Sequence, residues 1–573
     1  MTTDAASRTE CPFKQKCYRK NPHHFKEFKH QHLHNLLKQY PDHKVDKDTG
    51  IGIENIKEQL KVYEDIEKFF LWAEHKKQTK KRSRSKSPEA QRKKELKVDP
   101  AITAQTVLSE TRTESAQVNS EQTGKSESSK EGGPLCLIEQ KLEAAKPFNF
   151  FLTKIKDNPA THKDMISVYL TDLMHPRLGK LKSSLQINFM VELDWLMMNY
   201  EATKNDKKPL VILYGEENSD LSSNSLQANI RAVRVKPKYP FGTHHTKMMV
   251  FVYEDESVRV VVHTANLVGS DWENRTQGVW VSPRCMKLNS SESKGESPTN
   301  FKSSLIKYLK FYEVSAVHQF IDAISNCDMS AINVFFVASV PNSHRDGDIY
   351  RWGHRAVSKI LKQHVSEEAR RWPVKVQCSS IGSLGNSPDQ WFEHELGRSL
   401  SCYNGTSGAF PSSGQMELIY PSHNDVMSSY DGPLGGGCLP YRQQTHSKQP
   451  WLIDHMYNWR AAASDRTRAM PHIKTYTRLD SDNEKMAYFL LTSANLSKAA
   501  WGSMNKAGNS CMIMSYEAGV LFIPKFITGE NLFSVSGFES RLSGSSRFPL
   551  HYDLPLQKYS GSEKPWLYDF LLS

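Results

Sequence analysis

ANLSKAAW at residues 494–501 nearly repeats ANLVGSDW at 265–272, sharing Ala-Asn-Leu and a Trp at the same offset. Upstream of the first copy runs THHTKMMVFVYEDESVRVVVHT, and upstream of the second PHIKTYTRLDSDNEKMAYFLLTS. Each contains His-x-Lys, then a candidate β-hairpin, then the Asn. Asn266 lies 21 residues after His245, and Asn495 lies 23 after His472. A difference of that size fits a change in hairpin length. His-x-Lys alone is a weak signal, since it recurs at His24, His75 and His446. Only the copies at His245 and His472 continue into β-rich runs and Asn-Leu-x4-Trp, which marks a duplicated unit.

These residues suit phosphoryl transfer. A phosphodiester carries its charge on non-bridging oxygens, where Lys247, Lys474, Asn266 and Asn495 supply fixed donors. In-line displacement needs a nucleophile and a proton donor on opposite sides of phosphorus, and one His from each half meets that need. One imidazole attacks to form a phosphohistidine, and the other protonates the leaving oxygen. The lysines carry the charge, so no metal is expected for catalysis, and no carboxylate cluster resembling a two-metal site stands near either motif.

The 573 residues suffice for several domains. Lys and Arg total 75 against 63 Asp and Glu, a net charge of +12 with a pI near 9.0, which favours polyanionic partners. Nine scattered cysteines suggest a reducing compartment. The N-terminal MTTDAASRTE lacks a signal-like apolar stretch, and no apolar run approaches the ~18 residues that span a bilayer.

Composition divides the chain into a Cys/His-rich segment at 8–34, a predicted helix at 51–75, a polar linker at 76–134, and two globular halves at 135–330 and 331–573. The helix rests on the apolar spacing of Ile56, Leu60, Val62, Ile66, Phe69 and Phe70. The linker opens with KKQTKKRSRSKSPEAQRKK and is too poor in apolar residues to offset ordering entropy. Its basic part at 76–94 reads as a nuclear-localisation signal or a DNA tether, with Ser83, Ser85 and Ser87 as candidate phosphosites. Beyond it, β-rich runs (PLVILYG, KMMVFVY, VRVVVHT, AYFLLTS, GVLFIP) alternate with stretches read as helical, such as INFMVELDWLMMNY. That alternation predicts an α/β fold. The hydrophilic insert at 287–303 is expected to be a surface loop.

The paired His-x-Lys…Asn units resemble the phospholipase D superfamily. FGTHHTKMM, HTANL, TQGVW, AMPHIKTY, TSANLSKAAWG and SYEAGVLF resemble the tyrosyl-DNA phosphodiesterases in particular, over roughly residues 145–573. The wider superfamily places an Asp five residues after the Lys; Val252 and Leu479 stand there, which favours the DNA-repair branch over the lipid-cleaving one. The resemblance implies two similar α/β/α sandwich halves related by pseudo-twofold symmetry, with one active site between them. It implies His245 as nucleophile and His472 as general acid and then base, with Lys247, Asn266, Gln277, Lys474, Asn495 and Glu517 completing the site. The implied substrate joins a DNA 3′ end to a tyrosine of a stalled type IB topoisomerase, and single-stranded or duplex DNA with other blocked 3′ ends is a further expected substrate. The orienting position holds Gln277 in the first half and Glu517 in the second, from which we expect a carboxylate beside His472 that favours its imidazolium, and a neutral amide beside His245.

Phe241 resembles a residue that stacks on a DNA base. Ser379, Ser380, Ser383 and Ser497 match positions that hydrogen-bond the DNA backbone. Cys438 replaces a family serine, so a phosphate contact is in doubt there. Cys11, Cys17, His24 and His30 form a C-x5-C-x6-H-x5-H set suited to tetrahedral zinc, with His23 and His32 as spare ligands. Its CYRKNPxH core resembles the poly(ADP-ribose)-binding zinc finger, which implies that Phe13, Tyr18 and Arg19 contact that polymer, although Lys14 stands where the family usually has Gly. A monomer without membrane association is expected, acting in the nucleus and also in the mitochondrion or cytoplasm. The alternatives are another phospholipase-D-like nuclease or lipase, or a non-catalytic DNA or poly(ADP-ribose) scaffold.

Overall fold

The computed structural model describes residues 136–223, 226–289, 293–405, 415–536 and 547–571, and before them 9–11, 14–16, 25, 28–46, 53, 56–57, 59–64 and 67. Two compact units separate near residue 135. The linker at 76–134 lies outside the described residues.

The larger unit is built on two mixed sheets. The first uses β1 (Phe150–Thr153), β2 (Ser167–Val168), β3 (Leu181–Asn188), β4 (Leu210–Tyr214), β5 (Ile230–Arg234), β6 (Met248–Tyr253), β7 (Val258–His263) and β8 (Gly278–Val281), in spatial order 2-1-8-7-6-3-4-5. The second uses β9 (Phe335–Ser339), β10 (Val374–Gln377), β11 (Met416–Ile419), β12 (Met456–Tyr457), β13 (Thr475–Leu479), β14 (Lys485–Thr492) and β15 (Glu517–Phe522), in order 9-15-14-13-10-11-12. Leaving out β2, the two orders match strand for strand. The directions match as well: four antiparallel pairings lead from β1 or β9 inward, and two parallel pairings follow. The duplicated octapeptide is therefore the trace of a duplicated fold, an α/β architecture with pseudo-twofold symmetry.

The first sheet is buried on both faces, which its sequence explains. Along β6, Met248, Val250 and Val252 enter one core while Met249, Phe251 and Tyr253 enter another, as the two-residue side-chain period requires. The first of these cores also takes in the inner strands of the second sheet, so the two sheets share one hydrophobic interior. Gly278 stands where the two sheets meet with no room for a side chain: a Cβ there would lie 2.6 Å from Leu491 and 2.7 Å from Ile473.

Two readings of the sequence are corrected. Ile187 and Asn188 of INFMVELDWLMMNY end β3, and the helix begins only at Leu193, running to Ala202. The insert at 287–303 is more than a surface loop. Ser297 and Thr299 are buried, and a helix starts at Phe301. Ser297 Oγ accepts from the Phe301 amide at 2.8 Å, and the Glu296 carboxylate accepts from Lys302 and Ser303 at 3.0 and 2.9 Å. The polar residues there cap a helix end.

In the smaller unit, Thr9–Glu10 pairs in parallel with Phe28–Lys29, and a helix follows at Gln31–Gln39. The described positions between 53 and 67 are helical, and Phe25, Leu33, Ile56, Leu60 and Tyr63 are buried. Among the described residues, no helix is long and apolar enough to cross a membrane.

Candidate active site

Both His-x-Lys motifs sit just before the first strand of a hairpin, β6–β7 or β13–β14, and both Asn-Leu motifs follow the second strand. The period of two puts His and Lys on one side of the chain. Each ammonium folds back on its own motif: Lys247 Nζ donates to the His245 carbonyl at 2.9 Å, and Lys474 Nζ donates to the His472 carbonyl.

The halves exchange partners at this point. The His245 amide donates to the Tyr516 carbonyl at 3.0 Å, and the His472 amide donates to the Thr276 carbonyl at 3.0 Å. Those carbonyls belong to the residues preceding Glu517 and Gln277. Each orienting side chain therefore reaches the histidine of the opposite half. His245 Nδ1 lies 3.0 Å from Glu517 Oε2, and His472 Nδ1 lies 3.1 Å from Gln277 Nε2 and 3.2 Å from Gln277 Oε1. This corrects the sequence reading: Glu517 stands beside His245, not His472, because the orienting position is served across the pseudo-twofold axis.

His472 nevertheless has a carboxylate. Asp271 Oδ2 lies 3.2 Å from its Nδ1, and both side chains are 7% exposed. Asp271 belongs to ANLVGSDW, at the position held by Ala500 in ANLSKAAW. Sequence reasoning passed over it, although this difference between the copies was the signal that could have found it. Carboxylates therefore do approach both motifs, each engaged with an imidazole. Among the described residues, no group of three or more His, Cys, Asp or Glu side chains is arranged to hold a metal ion.

Burial and crowding of cations dominate the electrostatics. Burial lowers the pKa of His245 against the opposing pull of Glu517. Burial and Lys474 take His472 down to about 3 in spite of Asp271. Burial brings Lys247 to about 8, while burial and Lys247 bring Lys474 to about 7. Burial alone would raise Asp271, but His472, the Asn266 amide and Lys474 hold it well below the usual carboxylate range. Likewise burial opposes, and His245 and Ser493 outweigh it in, the lowering of Glu517. Burial therefore favours the neutral form of both imidazoles and disfavours both ammonium groups, with Glu517 and Asp271 as the counter-charges.

Asn495 Oδ1 accepts from the Ser379 amide at 3.1 Å, the Ser379 hydroxyl at 3.2 Å and the Ser380 amide at 3.0 Å. That fixes the amide group with its NH2 turned away from the serines. Asn266 Oδ1 is buried and has no hydrogen-bond partner among the described residues. A model of the tyrosyl-DNA phosphodiesterase family matches residues 149–560, the span that carries all of these groups. The chain belongs to that family. It is 40% identical to tyrosyl-DNA phosphodiesterase 1 of Drosophila melanogaster over 98% of this chain and 99% of the relative. It is 33% identical to the Arabidopsis thaliana enzyme of that name, covering 68% and 70%. The crystal structure of the yeast tyrosyl-DNA phosphodiesterase shares the fold at 19% identity and a TM-score of 0.56, covering 73% of this chain and 98% of that one.

The other residues expected around the site divide by what they touch. Phe241 is 92% exposed at a φ of 64°, holding its ring out to solvent. Ser383 is exposed. Ser379 is buried, its hydroxyl engaged with Asn495. Ser497 Oγ accepts from the Ala500 amide at 3.2 Å and caps the helix Lys498–Trp501. Cys438 is half-buried, its thiol directed to the Gly435 carbonyl. Trp501 is packed in the core and donates to the Tyr476 hydroxyl.

In the smaller unit, a PBZ domain model matches residues 8–33, which suggests zinc. Cys11 and His30 follow the paired strands directly, and the Cys11 amide donates to the Lys29 carbonyl at 2.9 Å. Both are fully buried, and the His30 ring packs 4.7 Å from Phe25. A buried thiol and a buried imidazole that each directly follow one of two paired strands fit half of a Cys2His2 zinc site. Cys17, His24, His23, Phe13, Tyr18 and Arg19 lie outside the described residues. His32 remains close, its ring 5.6 Å from that of His30.

Proposed function

We propose that this chain hydrolyses the phosphodiester bond between a DNA 3′ end and a tyrosine, as left by a stalled type IB topoisomerase, and acts on other blocked 3′ ends. The observation that supports it best is the pairing of each motif histidine, through Nδ1, with a carboxylate from the opposite half. That pairing leaves both Nε2 atoms for the substrate between Lys247 and Lys474.

In the first step His245 Nε2 attacks phosphorus. The P–O bond to tyrosine breaks, its electron pair goes to the phenolic oxygen, and that oxygen takes the Nε2 proton of His472. Lys247, Lys474, Asn266 and Asn495 hold the non-bridging oxygens. In the second step water attacks phosphorus and gives its proton to His472 Nε2. The P–N bond breaks with its electrons returning to His245, leaving a DNA 3′-phosphate. His472 is neutral in the free site, so its acid form depends on the substrate: a phosphodiester anion beside it raises its proton affinity.

The lysines supply the charge, and catalysis proceeds without a metal. Cys11, Cys17, His24 and His30 hold zinc, which folds the finger, and Phe13, Tyr18 and Arg19 engage poly(ADP-ribose) to concentrate the enzyme at broken DNA. Action in the nucleus as a monomer follows from that reading. The test is a 3′-phosphotyrosyl oligonucleotide incubated in EDTA, with His245→Ala as control and a fragment from Gly133 onward to separate loss of finger zinc from loss of catalysis. The expected result is a 3′-phosphate end that requires His245. Failure of wild-type protein to cleave overturns the proposal.

A further inference from the structure

We infer that Asp271 is a positioning residue for the acid and base work of His472, locking one tautomer through both chemical steps. The inference rests on the proposed role of His472 and extends it to a residue of the first half.

Charge, not distance, singles out Asp271 among the groups around His472 Nδ1, where Asp271 Oδ2 and Gln277 Oε1 both lie at 3.2 Å. Gln277 is also within reach, but its oxygen already accepts from Thr264 Oγ1 at 2.8 Å and its nitrogen donates to the Asp271 carbonyl at 3.1 Å. Gln277 is thus tethered to the same segment as Asp271, and its amide carries no net charge. Asp271 Oδ2 accepts from the Asn266 amide at 2.6 Å and lies 3.2 Å from His472 Nδ1. The carboxylate therefore couples the phosphate-facing Asn266 of one half to the imidazole of the other. Lys474 and Lys247 oppose protonation of His472, and Asp271 is the anion that favours it.

A carboxylate at Nδ1 obliges that nitrogen to keep its proton. Nε2 is then the atom that gains and loses a proton: Nε2–H in the acid step, and a lone pair facing water in the base step. Without the carboxylate, a neutral imidazole can place its proton on Nε2 instead, and such a tautomer cannot accept from water. The second-half copy has Ala500 at the matching position, so the exchange of partners is asymmetric. His245 takes its carboxylate from the orienting position, and His472 takes its carboxylate from the octapeptide.

The test is single-turnover cleavage of two 3′ esters of one oligonucleotide, an unactivated tyrosyl ester and an activated nitrophenyl ester, by wild type, Asp271→Asn and His472→Ala. An activated phenol leaves without protonation, so a group serving the acid matters less there. Asp271→Asn is expected to lose on the order of 10- to 100-fold on the tyrosyl ester and several-fold less on the nitrophenyl ester, and to slow breakdown of the covalent adduct. Equal losses on both esters, or no loss, overturn the inference. His472→Ala separates the two levels: if its own loss does not depend on the leaving group, the acid assignment falls, whereas if only Asp271→Asn fails to discriminate, the assignment stands and the inference falls. Should Asp271→Asn fail to melt cooperatively, nitrogen NMR of labelled wild-type protein decides: a neutral His472 must carry its proton on Nδ1, and a proton on Nε2 refutes the lock.

Discussion

Glu517→Gln tests the exchange of partners directly. The substitution keeps the shape and an acceptor oxygen 3.0 Å from His245 Nδ1, and removes only the charge. When His245 is phosphorylated on Nε2, its ring becomes a cation with Nδ1–H facing residue 517, so the lost charge destabilises the covalent adduct and the transition state leading to it. A hydrogen bond to a charged group contributes ~1.5–3 kcal/mol, which corresponds to roughly a 10- to 150-fold loss in the rate of adduct formation. Because the defect lies with the nucleophile, tyrosyl and nitrophenyl esters should suffer alike. The assay is rapid quench with the adduct resolved on a denaturing gel. A loss that grows with the basicity of the leaving phenol, with normal adduct formation from the nitrophenyl ester, would place Glu517 behind His472 and refute the reasoning.

Lys474, lowered to about 7 against an ordinary 10.5, sets a second expectation. Between those values the unfolded chain binds a proton that the folded chain does not, so the buried cation costs the fold ~3–5 kcal/mol below pH 7, and the cost fades as pH rises toward 10.5. Lys474→Met should abolish cleavage, and its melting temperature relative to wild type should be more favourable at pH 6.5 than at pH 9.5; the opposite order refutes this. Phe241→Ala removes an exposed ring, so stability should hold while oligonucleotide binding weakens by ~1–3 kcal/mol, seen in KM and absent with a mononucleotide ester. Ser379→Ala removes one of three donors to Asn495 and should lower kcat by roughly tenfold or less, for ~1 kcal/mol, without changing DNA affinity. Cys11→Ala should release zinc, measured by a chelating dye, and abolish poly(ADP-ribose) binding while leaving cleavage of the free oligonucleotide intact.

The duplication was legible because it rests on local chemistry. His-x-Lys, a strongly apolar hairpin and Asn-Leu-x4-Trp are contiguous features, and the apolar runs of β4, β6, β7 and β14 announce their burial. β3 was harder to read, because Lys182, Ser183, Ser184 and Gln186 look like a polar segment. Inside the sheet two of those side chains bond to one later residue: Ser184 Oγ lies 2.8 Å from the Tyr200 hydroxyl, and Gln186 Nε2 donates to it at 2.9 Å. Hydropathy cannot see a hydrogen bond to a residue on a later helix. The cap built by Glu296 and Ser297 was misjudged for the same reason.

Local sequence marks two equivalent units, each with a histidine, a lysine and an asparagine at matched spacing. Tertiary structure alone decided which carboxylate serves which histidine. Glu517 stands 272 residues beyond His245, and Asp271 belongs to the other half from His472. Neither pairing follows from spacing along the chain. They arise because the Thr276 and Tyr516 carbonyls each accept from the motif histidine's amide in the opposite half, so proximity in space inverts the assignment that proximity in sequence suggests.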